Sequence, residues 1–162
     1  MTFQIHALPQ APFAELFTLD DEALRQRNAV RVTADAATGF PCRVSLQEAE
    51  EGDTLVLCNF RHLDAPSPYA ASHAVYVLQN AVQARLAPGA VPDVLSRRFL
   101  SVRGFDAARM MIAGDVVPGA ELAQRLERML ADPLVELVQI HSAQRGCYLA
   151  AAAREEAVWD AV

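Results

Sequence analysis

The chain has 162 residues, 52% of them apolar, and carries a net charge of −6 from 20 acidic and 14 basic side chains. That length fits one domain, able to bury roughly 70% of its unfolded surface without disulfides or metal. The apolar fraction excludes a disordered chain, the acidic balance disfavours a general nucleic-acid binder, and apolar runs broken by charge exclude a membrane-spanning helix.

In chain order, Phe3 to Leu8 alternates apolar and polar side chains and predicts a first strand. Thr18 to Glu22 predicts a helix start, its small oxygen-bearing side chains suited to cap free N–H groups, with the helix ending near Asn28. Val30 to Thr33 predicts a strand, Thr38-Gly39 a turn, Cys42 to Leu46 another strand, and Glu51 to Asp53 another turn. Thr54 to His62 alternates clearly, with Val56, Cys58, Phe60 and His62 on one face and Leu55, Leu57, Asn59 and Arg61 on the other. Ala65 to Tyr69 reads as a loop and Ala74 to Leu78 as a strand. Pro92 to Arg98 predicts one or two helical turns, followed by strands at Phe99 to Arg103 and Met110 to Val117. The main helix is expected over Gly119 to Ala131, where Leu122, Leu126, Met129 and Leu130 share a face and Asp132-Pro133 ends it. Val135 to His141 and Cys147 to Ala153 predict two last strands around the turn Ser142 to Gly146. Arg154 to Val162, with the only tryptophan, Trp159, reads as a short helix.

So few long helices cannot provide right-handed βαβ crossovers for most of these strands. The expected fold class is therefore α+β, a mostly antiparallel curved sheet or partial barrel covered by one main helix over residues 119–131 plus short helices. Residues 1–154 are expected to form a single domain and residues 155–162 a C-terminal extension. Met1 to Ala11 lacks the basic start and continuous apolar core of a signal peptide, which predicts a cytoplasmic protein. The three cysteines, Cys42, Cys58 and Cys147, include no close pair and do not form a secreted disulfide framework. All basic residues are arginine, so Schiff-base lysines and P-loop lysines are excluded.

GxGxxG, G-x-S-x-G, HExxH and CxxC are all absent, so function must rest on dispersed residues. Reactive side chains concentrate in four segments at strand ends or loops: Gly39 to Arg43, Phe60 to His62, Ser67 to His73, and His141 to Tyr148. The stretches G-F-P-C-R-V-S-L, F-R-H, S-P-Y with S-H-A-V-Y-V, and I-H-S-A-Q-R-G-C-Y together resemble a bacterial family, domain of unknown function number 1203, from Phe3 to about Arg154. The resemblance implies one intact domain and brings no activity, cofactor or catalytic residue with it.

His62 shares an apolar strand face, where it is either a core histidine held by one hydrogen bond or a general base. His141 ends another strand beside Leu137 and Gln139 and is expected to be solvent-reachable; it is the second candidate catalytic residue. Cys42 reads as a buried inert thiol, or as a nucleophile if His62 or His141 lies within reach. Arg43, Arg145, Tyr69 and His73 are candidate ligand-binding residues, the arginines because a guanidinium can hold a carboxylate or phosphate bidentately. Either arginine could equally sit in an ordinary surface ion pair. Asp35 could orient a histidine or cap a turn.

These residues point first to a cytoplasmic small-molecule binding protein or enzyme whose His and Arg form an anion-preferring pocket for a small anionic ligand. No nucleic-acid or membrane partner is expected, and no cofactor is indicated. One alternative is a non-catalytic homodimeric interaction module using the apolar tail. The other is a Cys/His metal-binding protein drawing on Cys42, His62, His73, His141 or Cys147. No ligand set is assigned to that alternative, because natural zinc sites usually contain a closely spaced pair.

Overall fold

Eight strands form two separate antiparallel sheets in the computed structural model, which describes residues 2–155. The five-stranded sheet runs β1 (Phe3–His6), β8 (Tyr148–Arg154), β7 (Leu137–Ser142), β5 (Phe99–Phe105) and β6 (Met111–Pro118). The three-stranded sheet runs β2 (Ala29–Thr33), β3 (Thr54–Leu63) and β4 (Ala71–Leu78). The α+β fold follows, with the sheets open at β1 and β6 rather than closed into a barrel.

One face of the large sheet carries the helices. Leu122, Leu126, Met129 and Leu130 of α3 (Leu122–Leu130) pack with Leu100, Val102, Val138 and Ile140. A short helix, α2 (Asp93–Ser96), buries Val94 and Leu95 in the same cluster. The other face meets the small sheet, where Val56, Cys58, Val75 and Val77 share a core with Phe105, Leu137, Tyr148 and Ala151. This layering explains the alanine run of β8. Ala150 and Ala152 belong to the helix-side core and Ala151 to the inter-sheet core, so both faces of the strand are covered.

The N-terminal helix, α1 (Asp21–Gln26), is capped by Asp20, whose carboxylate accepts a hydrogen bond from the Ala23 N–H at 2.8 Å. Asp20→Ala should lower stability by about 1 kcal/mol. Urea titration measures this, and an unchanged midpoint would mean that the cap contributes nothing.

Several expectations need correction. Cys42 to Leu46 is a tight turn instead of a strand, since Leu46 N–H bonds back to the Cys42 carbonyl and Leu46 takes a φ of 51°. Its alternating pattern misleads because Cys42, Arg43, Val44 and Leu46 are all buried. Ala11–Thr18 forms a 3-10 helix that the sequence did not reveal, with Phe13 and Leu16 closing the inter-sheet core. The expected main helix is divided into a 3-10 turn (Gly119–Glu121) and α3. The expected C-terminal helix, including Trp159, lies outside the described residues. Among the described residues, no helix is long and apolar enough to cross a membrane.

Candidate functional site

The inter-sheet core contains its chemistry near one end of β3. The β3–β4 register pairs Arg61 with Ser72 and Leu63 with Ala71, so a bulge falls at His62. The ring turns inward and is 1% exposed. His73 lies across from Phe60 on β4 and is half-buried. From the facing sheet, β7 presents Gln139 and His141, two positions apart and therefore on one face. The ring centroids of His62 lie 4.8 Å from His73 and 5.1 Å from His141, and Tyr148 stacks on His62 at 4.9 Å. One nitrogen from each of His62, His73 and His141 falls within 4.8 Å of the others.

Hydrogen bonding sets the tautomers. Gln139 donates its Nε2–H to the His62 carbonyl at 2.7 Å, which turns Gln139 Oε1 toward His62 Nδ1 at 2.9 Å. The amide oxygen only accepts, so His62 carries its proton on Nδ1 and leaves Nε2 as a lone pair. His141 Nδ1 donates to the Gly146 carbonyl at 2.9 Å, leaving its Nε2 bare as well. That second lone pair lies 3.3 Å from the Gln139 oxygen, an acceptor against an acceptor. His73 Nδ1 lies 2.6 Å from His62 Nε2.

Burial keeps these rings neutral. It pulls His62 down to about 4, partly opposed by the Gln139 hydrogen bond and reinforced by the charges of His73 and Arg103. Burial likewise pulls His141 down to about 3 against the Gly146 carbonyl, with Arg103 adding to the effect. His73 is lowered by burial, then by Arg103 and Arg43. Arg103 stands opposite Gln139 on β5 and touches Ser101 Oγ through Nε at 3.3 Å. Tyr148 also has a buried hydroxyl with no hydrogen-bond partner among the described residues.

Arg43 and Arg145 meet elsewhere. They line a cleft of about 300 Å³ together with Arg98, Tyr76, Ser142 and Cys147. The division follows strand parity: on β4, Ala74 and Tyr76 face this cleft while Val75 and Val77 enter the inter-sheet core. Arg43 is deeply buried, contrary to an ordinary surface ion pair, because its turn tucks beneath β8 and its Nε–H reaches the Tyr148 carbonyl at 2.8 Å. Tyr69 joins neither group; its partly exposed ring meets Phe105 edge-on at 6.2 Å. Cys42 is buried, and its sulfur accepts from the N–H groups of Ser45 and Leu78 at 3.4 and 3.3 Å. Neither Cys42 nor Cys147 belongs to the histidine cluster. Asp35 is exposed.

His141 is a correction: expected to reach solvent, it is completely buried because the small sheet covers the inner face of β7. Gln139 and Arg103 stand beside the clustered histidines and are not among the expected candidate residues. The sequence did contain a signal for Gln139, a polar residue inside the apolar run Leu137 to Ile140.

The family model described as "Protein of unknown function (DUF1203)" matches residues 39–154, a span that includes all three clustered histidines and the arginine cleft. No curated protein and no solved structure matches the chain.

Proposed function

The chain belongs to the DUF1203 family, and since that description assigns no activity, we propose from geometry that it holds one divalent metal on His62, His73 and His141 and uses it to activate water toward a small anionic substrate. The observation that carries this reading is the pair of buried neutral imidazoles, His62 and His141, whose Nδ1–H groups are tied to oxygen acceptors while their Nε2 atoms turn into the cluster, that of His62 meeting His73 Nδ1 at 2.6 Å. Metal-ligating histidines use this arrangement, the outer hydrogen bond orienting the ring and raising its basicity.

Three imidazole ligands suit zinc and leave its fourth position for water, as catalytic sites require. Zinc–nitrogen bonds of about 2.0–2.1 Å place tetrahedral ligand atoms about 3.3 Å apart. Binding would therefore widen the 2.6 Å contact between His62 and His73 and draw in the more distant nitrogens. His73, the least buried of the three, is the ring best placed to make that adjustment. Arg103 is aligned beside the cluster and makes no ion pair among the described residues, so added positive charge there favours an anionic fourth ligand such as hydroxide.

Metal analysis of untagged protein should find one equivalent of zinc, and cobalt loading should produce a tetrahedral visible spectrum. His62→Ala or His141→Ala should abolish that spectrum, and Gln139→Ala should weaken affinity by about 10–100-fold. Cys42→Ser and Cys147→Ser should leave it unchanged. Folded protein that takes up no metal, or a cobalt spectrum that persists in His62→Ala, would refute the assignment.

A further inference from the structure

Arg43 presents a problem that the histidine centre does not solve. Its side chain is 3% exposed, yet it forms no ion pair with a carboxylate among the described residues. Its hydrogen bonds are Nε–H to the Tyr148 carbonyl at 2.8 Å and Nη1–H to the Pro41 carbonyl at 2.5 Å. A guanidinium has five N–H donors, and a buried charge is costly unless it is paired. The charged or ionisable groups that act on it are the thiols of Cys147 and Cys42, the Arg98 guanidinium and the Tyr76 hydroxyl, none of them a carboxylate.

The side chain lines the cleft of about 300 Å³, a volume at the lower end of the range for small-molecule pockets. Arg145 is exposed on the same cleft and forms no ion pair among the described residues, whereas Arg98 already meets Glu48. Leu57, Tyr76 and Leu149 supply an apolar wall. The site thus combines a buried guanidinium, a second guanidinium at its mouth and a surface suited to a carbon skeleton.

We infer that this cleft binds a small organic acid, its carboxylate held by Arg43 and Arg145 and its apolar body lying against Tyr76, Leu57 and Leu149. The flat fork of one guanidinium matches a carboxylate bidentately, and the apolar wall distinguishes an organic acid from a bare inorganic anion. This inference is independent of the metal reading, since none of the three histidines lines the cleft.

The test uses full-length protein, both chelator-treated and zinc-loaded, with benzoate, hexanoate, benzamide, phenyl phosphate and inorganic phosphate as probes. Benzoate and hexanoate near a hundred times their dissociation constants should raise the thermal midpoint by about 2–8 °C in both metal states, while isosteric, neutral benzamide should not. Arg145→Ala, a surface change compatible with folding, should weaken benzoate binding by about tenfold or more in calorimetry. Tighter binding of either phosphate than of benzoate would overturn the carboxylate assignment. No shift with any anion, or equal affinity in Arg145→Ala, would overturn the site.

A second measurement does not depend on an Arg43 variant folding. Cys147 is the half-buried thiol in the cleft; its thiolate displaces iodide from both anionic iodoacetate and neutral iodoacetamide, so their rate ratio reports the charge around it. The ratio should exceed that of a short cysteine peptide several-fold and fall in Arg145→Ala. A ratio equal to the peptide's would refute the cationic cleft. Loss of metal binding with this behaviour intact would count only against the histidine centre.

Discussion

Gly119→Ala is expected to remove about 4 kcal/mol of stability or more, enough to leave little folded protein. A Cβ at this position would lie 2.0 Å from the Leu95 carbonyl oxygen and 2.7 Å from the Ser96 carbonyl carbon and oxygen. These are backbone atoms, so no side chain can rotate away. The close approach is held by the Gly119 N–H, which donates to the Arg98 carbonyl at 2.7 Å. Relief would require separating the Asp93–Ser96 helix from the turn that starts α3, and Leu95 and Leu122 are both completely buried in the core beneath. Gly114→Ala is the control, because its Cβ would meet only the Val102 carbonyl oxygen at 3.8 Å, an ordinary contact. It should change stability by about 0.5 kcal/mol or less. Soluble yield and urea unfolding followed by circular dichroism will separate the two variants; parental stability in Gly119→Ala would show that the helix and turn do not pack this closely.

Metal-free protein should lose stability steeply as pH falls below about 6.5. In the unfolded chain His62 and His141 titrate at the ordinary histidine value, whereas in the fold burial holds them at about 4 and about 3. Between these values the unfolded state binds more protons, so stability must fall as pH falls. Their contribution is complete above the unfolded value and is lost progressively until the folded values are reached. Each such histidine contributes a slope of about 1.4 kcal/mol per pH unit, which predicts a combined loss of about 3 kcal/mol by pH 5 after allowance for their mutual coupling. The groups facing them, Arg103 and His73, disfavour a proton on either ring, and the Gln139 and Gly146 oxygens do not offset burial. The exposed Glu15–Arg27 pair lowers the Glu15 carboxyl, so its small contribution disappears at still lower pH. Thermal midpoints of chelator-treated protein from pH 7.5 to 4.5 provide the measurement. A flat profile would show that the rings accept protons freely in the fold and are not enclosed between the sheets.

The periodic parts of this architecture were legible because the chain itself produces them. Leu122, Leu126, Met129 and Leu130 recur at helical spacing, and the one-sided face they make is the face that packs. The alternation of Thr54 to His62 likewise placed His62 with Val56 and Cys58 on the inner face of β3. In contrast, Cys42, Val44 and Leu46 alternated like a strand yet form a turn, because a short stretch buried on every side looks the same in sequence as a strand with one buried face.

The candidate sites divide along the same line. Local pattern alone placed His62 and His141 toward the ends of β3 and β7, whereas Arg43 lies in a turn instead of the strand its pattern suggested. Only the tertiary structure decided their company. His62 meets Gln139 because β3 packs across from β7, an association of residues 77 positions apart that no local period encodes. Strand parity then sent Ala74 and Tyr76 to the arginine cleft, while the neighbouring Val75 and Val77 entered the inter-sheet core on the histidine side of β4. A strand's alternation determines which residues share a face, but what that face meets depends on the free energy of burying it against another sheet, and that belongs to the whole fold.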